Sequence, residues 1–138
     1  MQYGKEGNLI IIKLDLNDGI LESIKEVCEK ENVKNGIITS GLGAAIDLEV
    51  GYLKGKEFVK MLYEKREEIV SITGSISQED PQLHVHISFA DEEHKVHGGH
   101  LFSGTASPMM EIFMTKLSTL KLGRKLSDFS GLRELTIL

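Results

Sequence analysis

The chain has 138 residues, of which 41% are apolar and 27% charged, with a formal net charge of −5 at pH 7. This is an ordinary globular composition, and the excess of acidic residues opposes non-specific attraction to nucleic acid. The sequence has no apolar run near the roughly 18 residues of a transmembrane helix, and no basic segment followed by an apolar one marks a signal peptide. The only cysteine, Cys28, cannot form an internal disulfide. We therefore expect a cytoplasmic protein with no membrane association that forms a single domain over residues 1–138.

The first elements in chain order are a strand and a helix. Residues 9–16, LIIIKLDL, form a β-branched apolar run that is typical of a strand. Residues 17–36 predict a helix that is capped by Asn17 or Asp18 and ends near Glu31. Its buried stripe is expected to consist of residues at helical spacing, namely Ile20, Ile24, Val27 and Cys28.

The remainder of the chain is rich in predicted strands. Residues 37–53 indicate two strands joined by a tight turn at SGLGA, 40–44. Further strands are predicted at 66–77, 83–91, 96–107 and 110–118. The basic stretch KLGRK, 121–125, is predicted to be a solvated face. One main helix with many strands and short turns predicts an α+β fold with a mostly antiparallel β-sheet.

All five histidines of the chain lie between residues 84 and 100. His84 and His86 alternate with apolar residues along one predicted strand, so both imidazoles point to the same face. The next strand returns through a short turn, which predicts an antiparallel hairpin. With the turn centred on Glu93, His86 lies directly opposite His100, whereas a slip of one residue would bring in His97 instead. The residues alone leave both registers open.

Three imidazoles on one patch predict a site for a divalent metal, with zinc as the favoured ion. A neutral imidazole nitrogen binds zinc at about 2.0–2.1 Å, and three such ligands leave a fourth position open. The alternative is a polar sheet face at a subunit interface, in which hydrogen bonds satisfy the histidines. Asp91 is predicted to start the turn rather than to orient a metal-bound ring, and His94 to lie within that turn.

Two stretches, HVHISFAD (84–91) and VHGGHLFSG (96–104), carry a resemblance to a known family. They resemble the plants-and-prokaryotes-conserved (PPC) domain, which is also found in plant AT-hook proteins. The family pattern is an H-x-H strand ending in A-D, then a turn, then G-G-H-L. REEIVSITGS, 66–75, is similar to a family strand that ends in small residues, and SGLGA is similar to a family turn. The resemblance covers residues from about 9 to 120.

This resemblance implies a PPC-like fold that assembles as a homotrimer. It implies metal ligands at His84, His86 and His100, because the third histidine of the family lies in G-G-H-L, and it leaves His97 out. The family is commonly labelled DNA-binding. The basic AT-hook arm of the plant members is absent from this sequence, so DNA is a partner by family label that the charge does not support.

The sequence is therefore compatible with three classes of function. The preferred one is a trimeric metal-binding module with a DNA-binding or regulatory role taken from the family label. The second is a small zinc-dependent enzyme, for which Glu49, Glu67 or Glu111 would have to approach the histidines as a base. The third is a metal-free interaction scaffold. No catalytic residue is assigned, and the sequence favours a binding protein over an enzyme because no motif places a base beside the histidines.

Overall fold

The computed structural model describes all 138 residues as nine β-strands and one α-helix. In chain order the elements are β1 (Gln2–Glu6), β2 (Leu9–Leu14), α1 (Ile20–Lys30), β3 (Gly36–Lys54), β4 (Glu57–Tyr63), β5 (Glu67–Ile76), β6 (Leu83–Ala90), β7 (Val96–Lys116), β8 (Leu122–Leu126) and β9 (Arg133–Ile137). None of the helical structure has the length and apolar character needed to cross a bilayer. The expected fold class, a mostly antiparallel sheet with one helix, is confirmed.

The main sheet has seven antiparallel strands in the order β1-β2-β7-β6-β5-β3-β4. Its two long strands, β3 and β7, also pair with each other, from Gly36 opposite Lys116 to Gly51 opposite His100. The pairings β3–β5, β5–β6, β6–β7 and β7–β3 therefore close a ring of four strands. Strands β8 and β9 form a separate two-stranded sheet.

The core lies on the inner face of this sheet, where alternate strand residues and the stripe of α1 meet. The four predicted stripe residues of the helix are all buried, and they join a core cluster of 23 residues. Burial raises the pKa of the Cys28 thiol to about 11, so the thiolate needed for nucleophilic chemistry is disfavoured at neutral pH. Cys28 is thus a core residue, as its position in the helical stripe predicts.

The predicted side-chain cap of α1 is wrong. The N-cap residue is Gly19, and no side chain accepts a hydrogen bond from the first turn. The Asp18 carboxylate instead accepts a hydrogen bond from the backbone N–H of Asp15, 2.8 Å away. Asn17 has a φ of 71° and belongs to the turn that precedes the helix. The predicted end near Glu31 is confirmed, because Glu31 is the C-cap residue.

The predicted tight turn at residues 40–44 is also wrong, because these residues lie inside the continuous strand β3. The backbone of β7 comes so close to this part of β3 that side chains would collide with it. A Cβ atom on Gly41 would lie 2.7 Å from the carbonyl oxygen of Glu111, and one on Gly43 would lie 2.7 Å from the Cα of Met110. The glycines therefore permit close strand packing and local register shifts rather than a chain reversal.

The basic stretch at residues 121–125 is not simply a solvated face. It forms β8, and Arg124 is only 4% exposed. The guanidinium of Arg124 donates to the carbonyl oxygen of Pro81 at 3.1 Å and to the hydroxyl of Ser75 at 3.0 Å. This side chain therefore joins the C-terminal sheet to β5 and to the segment that connects β5 with β6.

Candidate metal centre

The histidines lie on the hairpin formed by β6 and β7. Its register places Ala90 opposite Val96 and His86 opposite His100, so the hairpin is centred on Glu93. The first of the two predicted registers is therefore the observed one. The buried residues of β6, namely Val85, Ile87 and Phe89, point to the core, which leaves His84 and His86 on the outer face.

His84, His86 and His100 form one compact cluster, and no carboxylate belongs to it. Each ring offers one nitrogen, and these three atoms all lie within 4.8 Å of one another. The closest pair, the Nε2 atoms of His84 and His86, is 3.2 Å apart. Two nitrogens bound to a tetrahedral zinc ion are roughly 3.3 Å apart, given bond lengths of about 2.0–2.1 Å. These two nitrogens lie within hydrogen-bonding distance of each other, and their spacing also matches that of two ligands of one ion.

The surroundings of His84 and His100 lower the pKa of both rings and so favour the neutral form, which binds metals. Burial, followed by the neighbouring charges of His84 and His86, lowers the pKa of His100 to about 4. Burial and the His86 ring also lower the pKa of His84 below its ordinary value. In addition, the Nδ1 atom of His100 is buried and has no hydrogen-bond partner. An unpaired buried nitrogen beside two further imidazoles is a donor set that fits a cation.

Aromatic side chains fix the ring of His100. Its centroid is 4.8 Å from the ring of Phe58 and 4.6 Å from that of Phe102. The Lys60 ammonium lies 4.0 Å from the centroid of the Phe102 ring, the same ring that packs against His100. These neighbours come from β4 and β7. The sequence did not indicate Phe58 or Lys60, because β4 was not among the predicted strands.

The two glycines before His100 are required by close strand approach on both sides of β7. A Cβ atom on Gly98 would lie 3.0 Å from the Cα of Ser88 in β6. A Cβ atom on Gly99 would lie 2.6 Å from the carbonyl oxygen of Gly51 in β3. The G-G-H sequence therefore holds β7 tightly between its neighbours at the point where it supplies the third imidazole.

The other two histidines lie apart from the cluster. The Nε2 atom of His97 is 2.7 Å from the Asp91 carboxylate, a hydrogen bond that lowers the pKa of Asp91. The same carboxylate accepts hydrogen bonds from the backbone N–H groups of Glu93 and Lys95, so Asp91 starts the turn as expected. His94, with a φ of 64°, lies in that turn.

The acidic residues considered as a base do not join the cluster. Glu49 forms an ion pair with Lys60 at 3.2 Å. Glu67 is buried, and its pKa is raised by burial first and then by the nearby charge of Asp91. Glu111 is half-buried in β7 and lies opposite Lys13 of β2. The cluster of possible metal ligands therefore consists of the three histidines and contains no carboxylate.

The fold and this cluster together define a class of small, mostly antiparallel α+β proteins that present three histidines from two adjacent strands. The model of the Plants and Prokaryotes Conserved (PCC) domain family matches residues 1–118. The chain belongs to this family, also abbreviated PPC, and the resemblance noted from the H-x-H and G-G-H-L motifs is confirmed.

Solved structures with the same fold include two archaeal proteins. A PPC protein from Pyrococcus horikoshii is 29% identical, with a TM-score of 0.83, and the match covers 99% of this chain and 96% of that one. A protein from Archaeoglobus fulgidus, described as metal-containing, is 28% identical, with a TM-score of 0.85 and 99% of both chains covered.

A bacterial structure, named as a candidate DNA-binding protein of Bacteroides thetaiotaomicron, is 24% identical, with a TM-score of 0.88. The match covers 98% of this chain and 96% of that one, and at this identity it shows a common fold alone. No curated protein sequence matches the chain.

Proposed function

We propose that this protein is a metal-binding module in which His84, His86 and His100 hold one divalent cation, with zinc as the favoured ion. The observation that carries the proposal is the convergence of three imidazole nitrogens within 4.8 Å. The metal-containing relative from Archaeoglobus fulgidus supports it. We further propose that residues 1–138 act as one domain, with a regulatory or assembly role in a homotrimer.

The composition of the cluster favours binding over hydrolysis. Three neutral imidazoles suit zinc and leave its fourth coordination position open. A bound ion would supply Lewis acidity at that position, while the two strands hold the ligands and the aromatic neighbours orient His100. A hydrolytic enzyme also needs a base beside the metal-bound water, and the cluster contains no carboxylate to serve as one.

An apolar patch on the outer face of the sheet supports the homotrimer. Leu9 and Ile37 flank the same residue of β7, Thr115, from either side, and Ile11 lies on the same face of β2 as Leu9. Together with Leu42 of β3, these side chains are between 39% and 49% exposed. An exposed apolar patch that runs across neighbouring strands is typical of a protein–protein interface. We propose that further copies of this chain cover it.

Native mass spectrometry of protein purified without a histidine tag tests metal and assembly together. We expect a species of three chains, each of 15.3 kDa, carrying three zinc ions after incubation with zinc and desalting. Treatment with a chelator should remove the ions and leave the trimer, because the apolar patch does not contain the histidines. A metal-free spectrum after zinc loading would contradict the metal site, and a monomer at micromolar concentration would contradict the assembly.

The net charge predicts no direct binding of duplex DNA by this chain at physiological salt. Sixteen basic residues stand against 21 acidic ones, so few phosphates can be neutralised. We expect no retardation of a labelled duplex in gel-shift experiments at about 150 mM salt. Retardation of the duplex at about 150 mM salt would overturn this expectation and assign a DNA-binding role to the chain itself.

A further inference from the structure

A cavity of about 200 Å³ adjoins the histidine cluster. His84 and His100 form part of its wall, so any ligand in the cavity lies beside the proposed metal position. The rest of the wall consists of one cationic side chain, one proline and three large apolar side chains. These are Arg133, Pro81, and the apolar residues Phe58, Leu83 and Leu132. This volume is below the roughly 300–1,000 Å³ of sites for drug-sized ligands, which restricts the occupant to a small molecule.

The charge of the cavity wall favours an anion. Arg133 is the only formally charged side chain in it, and no carboxylate lines it. The Nε of Arg133 donates to the carbonyl oxygen of Asp80 at 2.8 Å, and its Nη2 donates to the carbonyl oxygen of Arg124 at 3.3 Å. A guanidinium has five N–H donors. These two bonds therefore orient the group and leave three N–H donors for a ligand.

The apolar side chains indicate what accompanies the anionic group. Phe58 packs against His100, so this part of the apolar wall adjoins the histidine cluster. Leu83 is the first residue of β6, and Leu132 directly precedes β9. Apolar walls of this kind favour a ligand with an aliphatic chain, because each methylene group that becomes fully buried raises the affinity by about fourfold.

A second cavity, of about 600 Å³, shares Leu83, His100 and Arg133 with the first. It adds the Lys25 ammonium from α1, and Asp80 is its only acidic side chain. The larger cavity, which adjoins the smaller one, is therefore also cationic on balance. Since cationic clefts raise the local concentration of anions, this larger cavity favours the same class of ligand.

We propose that the smaller cavity binds a small monocarboxylate with a short aliphatic chain. The carboxylate lies between the Arg133 guanidinium and the open position of the metal, and the chain packs on Phe58, Leu83 and Leu132. The planar fork of a guanidinium matches a carboxylate, and carboxylate oxygen is an accepted zinc ligand. This inference rests on the proposed metal site and names the ligand that the open position would take.

The test uses the full chain loaded with Co²⁺, whose absorption bands change when a new ligand joins the metal. Acetate, hexanoate and hexanamide are the probes. We expect hexanoate to shift the bands at concentrations at least about tenfold lower than acetate, because its chain enters the apolar cavity. Hexanamide, which has the same chain without the charge, should leave the spectrum unchanged.

Two variants locate the ligand. Arg133→Met is expected to weaken hexanoate binding by about fivefold, since this exposed side chain makes a charge-assisted contact. Leu132→Ala should weaken hexanoate but not acetate. Lys125→Met, which removes an exposed cation from the neighbouring strand, is the matched control and should change neither. All three variants should bind Co²⁺ as the parent does.

The outcomes separate the two proposals. Absence of any Co²⁺ spectrum would overturn the metal site and this inference with it. A normal Co²⁺ spectrum that hexanoate does not alter would overturn the carboxylate site alone. Equal affinities for acetate and hexanoate, or an Arg133→Met variant that binds hexanoate like the parent, would also overturn it.

Discussion

Replacing His100 with alanine is expected to abolish tight metal binding by this protein. The substitution removes one of the three proposed ligands, and the remaining pair, His84 and His86, would hold an ion only weakly. Even changes to residues that merely orient a metal ligand cost about 10- to 100-fold in affinity. We therefore expect His100→Ala to lower the zinc affinity by more than about 100-fold, as measured by competition with a chromogenic chelator.

The same substitution should leave the metal-free protein folded. The buried Nδ1 of His100 has no hydrogen-bond partner, so its loss breaks no hydrogen bond of that atom. What is lost is packing of the ring against Phe58 and Phe102, a contribution of roughly 1 kcal/mol. Urea unfolding in the presence of a chelator should therefore show a small decrease in the free energy of unfolding, which separates ligand loss from misfolding.

His97→Ala is the matched control for the metal measurement. His97 lies three residues before His100 on the same strand, but its ring is hydrogen-bonded to Asp91 rather than directed at the cluster. This variant should bind zinc like the parent protein. If His97→Ala lost the metal and His100→Ala retained it, the alternative hairpin register would describe the site instead.

The contrast between these two histidines also indicates what could be predicted from the sequence. Alternation along β6 is a local property with a period of two, so the shared face of His84 and His86 follows from their spacing alone. The choice between His97 and His100 depends on pairing across the hairpin. Residue preferences left it open, and the close packing at Gly98 that accompanies the observed register becomes visible only in three dimensions.

Other features escaped prediction because they depend on contacts distant in sequence. The 21-residue strand β7 is continuous because it pairs with three different strands, β2, β3 and β6, along its length. Arg124 is buried because acceptors on Ser75 and Pro81, more than forty residues away, satisfy its guanidinium. No local pattern in KLGRK signals either acceptor. The side chains of β4 that pack against the histidine cluster were missed for the same reason.

Gly43→Ala is expected to be the most destabilising single methyl addition to this sheet. Gly43 has a φ of +123°, a conformation that side chains rarely adopt, and an added Cβ would lie 2.7 Å from the Cα of Met110. The unfavourable φ and the close contact both concern backbone atoms, and these cannot move without disturbing the β3–β7 pairing. We expect a loss of roughly 3 kcal/mol or more in the free energy of unfolding, measured by urea denaturation.

Gly4→Ala provides the control for this second substitution. Gly4 also lies in a strand, β1, but an added Cβ would have no atom within 4 Å and its φ is not in the left-handed region. Its replacement should leave stability unchanged or raise it by up to about 1 kcal/mol, because alanine restricts the unfolded chain. Equal unfolding midpoints for the two variants would contradict the close approach of β3 and β7.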